Sequence, residues 1–362
     1  MAKLQRRVFF RMCTNATLVV SLVVGTAGSC AASTAGPDLS GVTITVGQQG
    51  AETEGIFIES GAMANAPYQI AYATFSNPDQ TLTALSSGRV DIGNNIAQWT
   101  ATQASAGATP PWTAATVPYT NVLVNAPGDP TKFERFVMAA SAQSKVIDIK
   151  DSKGKNWGFL PGTSGELFAA KVLDKMGWTF KDVNVVNLDS TNQALALQTG
   201  RVDIVFNPRD NLVGALARGA QILGDAYQYD VTIYTGYLAN VRSLNDPIKG
   251  AAIKDFITRV IRAQDWFVRN PSLAQAALMK YRKLTAEQAK IVWQYTRVKP
   301  MAPTPEIAKY SQGLADTALK FGLIGKKVDA SALLDPRFSD VIEKTLNDVE
   351  FDKHLRASYA VN

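Results

Sequence analysis

One nine-residue string occurs twice in this chain. Residues 84–92 read ALSSGRVDI and residues 196–204 read ALQTGRVDI, seven positions identical at an offset of 112. The same offset, without a gap, sets Gly50 on Gly162. Each of these glycines ends a strand-like run, 42–46 and 157–160, and each precedes a helical stretch. Each unit therefore reads strand, glycine turn, helix, strand, helix, short strand. Gly88 and Gly200 end the second helix, where a left-handed residue is easiest to place. Segments 90–92 and 202–204 then open short buried strands. Such alternation builds parallel sheets with crossover helices. A period this long excludes a solenoid. The expected fold is α/β: two similar lobes with mixed, mainly parallel sheets and additional C-terminal helices. Open α/β sheets take ligands beyond the carboxyl ends of their strands, so two facing lobes share a site in the cleft between them.

The last third changes character. Ile253, Phe256, Ile257, Val260, Ile261 and Phe267 mark one apolar helical face. Asn270 and Pro271 start a further helix. Thr285 and Gln288 form a capping box opening another. Thr304 and Pro305 begin a fourth, which stops at Gly322.

Residues 3–11 are basic and residues 12–28 are uncharged with an apolar block at 18–24, the pattern of an export signal. That block is too short for a transmembrane helix. Lys3, Arg6, Arg7 and Arg11 precede Cys30 and no acidic residue does, so a chain starting at Cys30 carries 33 basic and 31 acidic side chains. This balance argues against a nucleic-acid or polybasic membrane surface. The single histidine, His354, speaks against a Ser-His-Asp triad, a Cys-His dyad or a histidine-rich metal site. The two cysteines, Cys13 and Cys30, leave no disulfide framework for the body of the chain. Residues 27–30 (AGSC) resemble the lipobox of bacterial lipoproteins, with Ala27 where Leu is usual, which makes Cys30 the expected lipidation site; ordinary cleavage nearby is the alternative. Arg6 and Arg7 resemble a twin-arginine signal, and a general signal is the other reading. By either route the mature protein is exported.

Residues 75–93 (FSNPDQTLTALSSGRVDIG) resemble the first-lobe signature of substrate-binding proteins of bacterial ABC importers, in the nitrate, taurine and aliphatic-sulfonate class. Residues 145–158 (KVIDIKDSKGKNWG) are similar to that family's entry into the second lobe. Gly162, Thr163 and Ser164 fall at its small-hydroxyl loop, and 200–208 (GRVDIVFNP) at the segment that usually ends in Trp-Asp/Ala-Pro. The resemblance runs from about 42 to 345. It implies the type II periplasmic-binding-protein fold with a closing cleft, no chemistry and no cofactor, a small-molecule ligand, an ABC permease as partner, and a monomer. The implied division is a signal peptide over 1–29, a tether over 30–41, the first part of lobe 1 over 42–127, lobe 2 over 128–230, a return to lobe 1 with C-terminal helices over 231–350, and a tail over 351–362.

The expected ligand contacts are Gln48, Gln49, Gly50, Asn94, Asn95, Thr163, Ser164, Asn207 and Arg209. Thr163 and Ser164 open a helix whose free N–H groups suit an anion, and Thr163 with Glu166 fits a capping box. Gln48 and Gln49 are their first-lobe counterparts, with amides that donate and accept. Asn94 and Asn95 are read as a helix start, and Asn207 with Pro208 as a cap and first-turn proline. A guanidinium at Arg209 suits a sulfonate or carboxylate, or else pairs with Asp210. Asp91 and Asp203 belong to the repeat, which assigns them caps or lobe-internal hydrogen bonds. Glu52, Glu54 and Glu166 near the helix starts favour a ligand with a neutral or positive portion if they face the cleft. Trp99, Trp112, Tyr119 and Tyr237 are candidates for an apolar wall. The expected function is extracytoplasmic capture of a small polar solute, anionic or zwitterionic, for an ABC permease. An enzyme on the same fold and a ligand-sensing subunit for a membrane receptor are the alternatives.

Overall fold

The computed structural model describes residues 36–361; the signal segment and Cys30 lie outside the described residues. Alternating apolar residues make β1 (Thr43–Gln48), which buries Ile44 and Val46 completely. After it come α1 (Glu52–Ser60), β2 (Gln69–Thr74), α2 (Pro78–Ser87), β3 (Ile92–Ala97) and α3 (Gln98–Gly107). β4 (Tyr119–Pro127) and α4 (Pro130–Phe133) lead to β5 (Phe136–Ala140) in the second lobe. That lobe adds β6 (Asn156–Phe159), α5 (Ser164–Met176), β7 (Asn184–Asn187), α6 (Ser190–Gln198), β8 (Ile204–Pro208), α7 (Val213–Leu216) and β9 (Gln221–Asp225). β10 (Thr235–Asn240) returns to the first lobe. It is followed by α8 (Val241–Asn245), α9 (Pro247–Arg269), α10 (Pro271–Arg282), α11 (Ala286–Tyr295), β11 (Val298–Met301), α12 (Pro305–Lys320), α13 (Ser339–Asp348) and α14 (Phe351–Ser358).

The strand orders are β11-β4-β10-β3-β1-β2 and β7-β6-β8-β5-β9. In each sheet the three strands of one repeat unit pair in parallel. The strand arriving from the other lobe, β10 or β5, lies antiparallel beside them. The two crossings, between β4 and β5 and between β9 and β10, therefore bind the lobes into one topology.

The repeat is structural. Gly88 and Gly200 both adopt left-handed backbone (φ 75° and 69°) after their helices. Asp91 accepts the Thr45 N–H and Asp203 accepts the Asn156 N–H, each at 2.9 Å. Both aspartates thus tie the third strand of a unit to its first, the lobe-internal role expected of them. Asp91 is further held by the Ser243 hydroxyl and the Lys249 ammonium. The gapless offset does not extend to the strands. Ile92 pairs with Val46 and Ile204 with Trp157, so the strands correspond one residue earlier. The extra residue sits in the loop before α5, where Gly162 alone of the two glycines is left-handed (φ 86°).

The helical third follows its apolar periodicity. Ile253, Phe256, Ile257, Val260 and Ile261 are fully buried against the first sheet. Thr285 and Gln288 form the reciprocal cap of α11. The second core is an aromatic cluster, with Phe206 5.0 Å from Trp157 and 5.3 Å from Phe168. α12 packs on α3 and α5 together, joining the lobes along one side through Trp99, Leu167, Ala315 and Ala318.

Within the segment read as a tail, residues 351–358 form α14. α14 buries Phe351 and Leu355 in the first-lobe core. His354 Nδ1 lies 2.7 Å from the Asp265 carboxylate of α9. Arg297 anchors the same end: its guanidinium carbon lies 4.3 Å from the Phe133 ring centroid, 4.6 Å from Trp293 and 4.8 Å from Tyr359. It also donates to the Ser358 carbonyl at 2.5 Å. Burial pulls its pKa down to about 10. The cage joins the first crossing, through Phe133, to α14. Arg297→Ala removes these contacts at once. We expect it to lower unfolding free energy by roughly 2–4 kcal/mol, measured by urea denaturation, with α14 becoming the first site of limited proteolysis.

Candidate functional site

The two halves of the molecule meet around one carboxylate. Arg135, at the entry to β5, donates from Nε to Asp210 Oδ1 at 2.7 Å and from Nη2 to Oδ2 at 3.0 Å. Arg282, at the end of α10, adds a bond to Oδ2 at 3.2 Å. The Asp210 side chain is only 1% exposed. Burial alone would raise its pKa, but the two guanidinium groups hold it down at about 2. The charge-assisted fork fixes Arg135 in one orientation. It also seats the α10–α11 hairpin, which packs on the first lobe, against the loop that follows β8.

Beside this cluster lies a cavity of 150 Å³. Ile56, Phe57, Tyr237, Phe267, Leu278 and Val292 supply its apolar wall. Its polar lining comes from Glu52 and Thr53 at the start of α1, Asn94 and Asn95 of β3, Asn125, Gln264, Arg135 and Arg282. It lies beside the start of α1, which follows β1, and the middle of β3. Asn94 is buried and donates to Thr53 Oγ1 at 2.7 Å. Asn95 is exposed, with left-handed backbone (φ 54°). Among the described residues no group of three or more His, Cys, Asp or Glu is placed to hold a metal ion.

Of the nine residues singled out in the sequence, Asn94 and Asn95 line this cavity. They lie within β3 rather than at a helix start, and α3 begins at Gln98. The strand carries on because β10 pairs alongside it, through an irregular register. Gln48 is buried and donates to Glu54 at 3.3 Å. Gln49 donates to Thr81 at 3.1 Å. Gly50 lies beneath the Glu52 carboxylate, which a side chain there would strike. Thr163 is the N-cap of α5 but makes no side-chain cap; its hydroxyl donates to the Leu160 carbonyl at 2.7 Å. The expected capping box with Glu166 is therefore absent, and Glu166 instead accepts the Gly162 N–H at 2.9 Å.

Ser164 faces a separate cavity of 20 Å³, shared with Gln98 and Thr102. Asn207 and Pro208 end β8 rather than opening a helix, and a three-residue 3-10 turn, Arg209–Asn211, follows. The reason lies in a distant partner: the Arg209 N–H donates to the Arg135 carbonyl at 2.7 Å, extending the ladder. Asn207 accepts from Asn211 Nδ2 at 3.0 Å. Arg209 does not pair with Asp210 but lies over Tyr295, 4.3 Å from the ring centroid. Among the four aromatic candidates, Tyr237 reaches the cavity, whereas Trp99, Trp112 and Tyr119 pack in the core.

Arg135, Arg282 and Gln264 carried no sequence signal. They stand outside the repeat, and the sequence separations of 75 and 72 residues to Asp210 hide the cluster. Glu134, beside Arg135, is also buried, and burial raises its pKa to about 7, with Asp225 of the other crossing adding to the effect.

Residues 130–274 match the family model described as NMT1/THI5 like. A curated protein of Escherichia coli (strain K12), named for binding aliphatic sulfonates, is 26% identical over 269 residues, covering 72% of this chain and 77% of that protein. The solved periplasmic aliphatic sulphonate binding protein SsuA of Escherichia coli superposes with a TM-score of 0.69 at 22% identity, covering 83% of this chain and 93% of the other. The alkanesulfonate-binding protein SsuA of Xanthomonas axonopodis pv. citri, solved with MOPS bound, gives 0.69 at 18% identity, covering 83% and 99%. The chain has the type II periplasmic-binding-protein fold, and its sequence is similar to that of a protein named for binding aliphatic sulfonates. The second-lobe entry, residues 145–158, lies inside the matched stretch 130–274.

Two outcomes follow from the charges. Asp210→Asn leaves two arginines without their carboxylate and should lower stability by roughly 3–5 kcal/mol in a urea titration at pH 7. Glu134 acts through pH. Its folded pKa is raised, so the folded state holds more protons than the unfolded state between about pH 4.5 and pH 7. Its contribution is fully present below that window and is lost as pH rises through 7. Glu134→Gln should therefore gain roughly 1–3 kcal/mol at pH 8 and flatten that part of the stability profile.

Proposed function

We propose that the protein is an extracytoplasmic solute-binding protein that captures a small polar, anionic or zwitterionic solute of the sulfonate type and delivers it to an ABC permease. The observation that carries this reading is the cavity with an apolar wall and Arg135 and Arg282 among its polar lining, on a chain similar in sequence to a protein named for binding aliphatic sulfonates. An apolar wall with a few placed charges is what an alkyl chain with one ionic head requires. Binding calls for no acid–base chemistry, and the two guanidinium groups of the cavity wall are tied to structure: Arg135 and Arg282 both hold Asp210.

The export route belongs to the same proposal. The basic and apolar N-terminal segment would direct the chain across the membrane, and Cys30 would anchor it by acylation. No helix among the described residues is long and apolar enough to cross a membrane. Asn94 and Asn95 are the proposed first-lobe contacts; the crossing and α10 supply the guanidinium groups.

The test is a thermal-shift and calorimetric panel of short alkanesulfonates, an aminosulfonate, nitrate, a carboxylate and a neutral control. A ligand at about 100 times its Kd adds roughly 2.7 kcal/mol, a rise of a few degrees in Tm. Arg282→Ala should weaken the responding ligand about tenfold or more. This variant keeps the Arg135–Asp210 fork and so keeps the lobe junction. Silence across the panel would remove this ligand class.

A further inference from the structure

The cavity wall carries two opposite sets of groups. One accepts. The Glu52 carboxylate is half-buried and lines the cavity, and among the described residues it makes no hydrogen bond or ion pair. It is near enough to Arg135 to strengthen that group's hold on its proton, although the two do not touch. The carboxylate lies over Gly50, and a Cβ at that position would require the Glu52 side chain to shift. Gln264 adds a second acceptor: its Nε2 donates to Asn125 Oδ1 at 3.1 Å, while its Oε1 is buried without a partner.

The other set donates. Arg135 commits Nε and Nη2 to Asp210, and Arg282 commits Nη1. The remaining N–H groups of both guanidiniums stay available. The four charges at the site, those of Glu52, Asp210, Arg135 and Arg282, sum to zero. A simple monoanion would meet arginines already matched by Asp210 and an unmatched carboxylate beside them. A buried acceptor left without a donor is unfavourable, so a ligand that offers N–H groups there gains what a plain anion forfeits.

We infer that the cavity selects zwitterions: a primary ammonium accepted by Glu52 and Gln264, and a sulfonate or carboxylate held by Arg135 and Arg282. This inference rests on the solute-binding reading above and assigns its specificity to Glu52. The volume suits a ligand of roughly six to ten non-hydrogen atoms, since a cavity of this size takes a benzene ring.

Matched pairs test it by titration calorimetry: ethanesulfonate against 2-aminoethanesulfonate, and propanesulfonate against 3-aminopropanesulfonate, with 3-aminopropanoate separating carboxylate from sulfonate. The amino member of each pair should bind about tenfold or more tightly than its plain partner. Glu52→Gln should abolish that preference while leaving the plain sulfonate unchanged or tighter. Gln264→Leu, an independent variant, should weaken the amino member alone. Ligand-free melting confirms that each variant folds. Equal or tighter binding of the plain sulfonate, or an equal loss of both members in Glu52→Gln, overturns the inference and leaves the solute-binding reading standing. Binding of no member of the panel overturns both.

Discussion

The buried carboxylate of Asp210 is the point on which the two lobes close. It belongs to the loop after β8 in the second lobe, yet it is held by Arg135 from the first crossing and by Arg282 from a helix that packs on the first lobe. A carboxylate this deep needs a cationic partner, because desolvation would otherwise force it to take up a proton. The same fork orients Arg135 and brings α10 and α11 over the cavity. The junction of the lobes and the cavity therefore share one electrostatic cluster.

On the opposite side α12 lies across α3 and α5, and there the junction is apolar. Glu166 and Gln103 add a polar contact between the lobes at 3.4 Å. The helix start that the sequence offers to an anion is consequently occupied by the protein's own groups. Glu166 takes the Gly162 N–H, Thr163 turns to Leu160, and Ser164 faces a small interior space. In the first lobe Glu52 stands over Gly50 in a comparable way. The cavity is lined instead by side chains: the amides of β3 and α9, the guanidiniums of the crossing and α10, and Glu52 and Thr53 at the start of α1.

Much of the fold was legible before any coordinates. The nonapeptide repeat fixed two like lobes, and its aspartates proved to be strand ties, because a repeated polar residue after a helix-ending glycine answers a repeated backbone need. The capping box at Thr285 and the apolar face from Ile253 were equally local and equally readable. Where the reading failed, a distant partner had intervened. Asn207 and Pro208 look like a helix start, but the Arg135 carbonyl draws the next N–H into a ladder. Asn94 and Asn95 look like a cap, but β10 lies beside them. The C-terminal segment looks like a tail, but Arg297, sixty-one residues before Ser358, reaches its carbonyl.

The sequence by itself determined the class of fold, the repeated unit and the helical third, since these rest on periodicity, glycine positions and short-range hydrogen bonds. Tertiary structure alone decided which residues share a cavity. Asn94 was visible as a candidate, but Arg135, Gln264 and Arg282 come from the crossing, α9 and α10 and carry no local signature. The return of the chain to its first lobe assembles them, and burial, which no short stretch of sequence encodes, turns ordinary charges into a site.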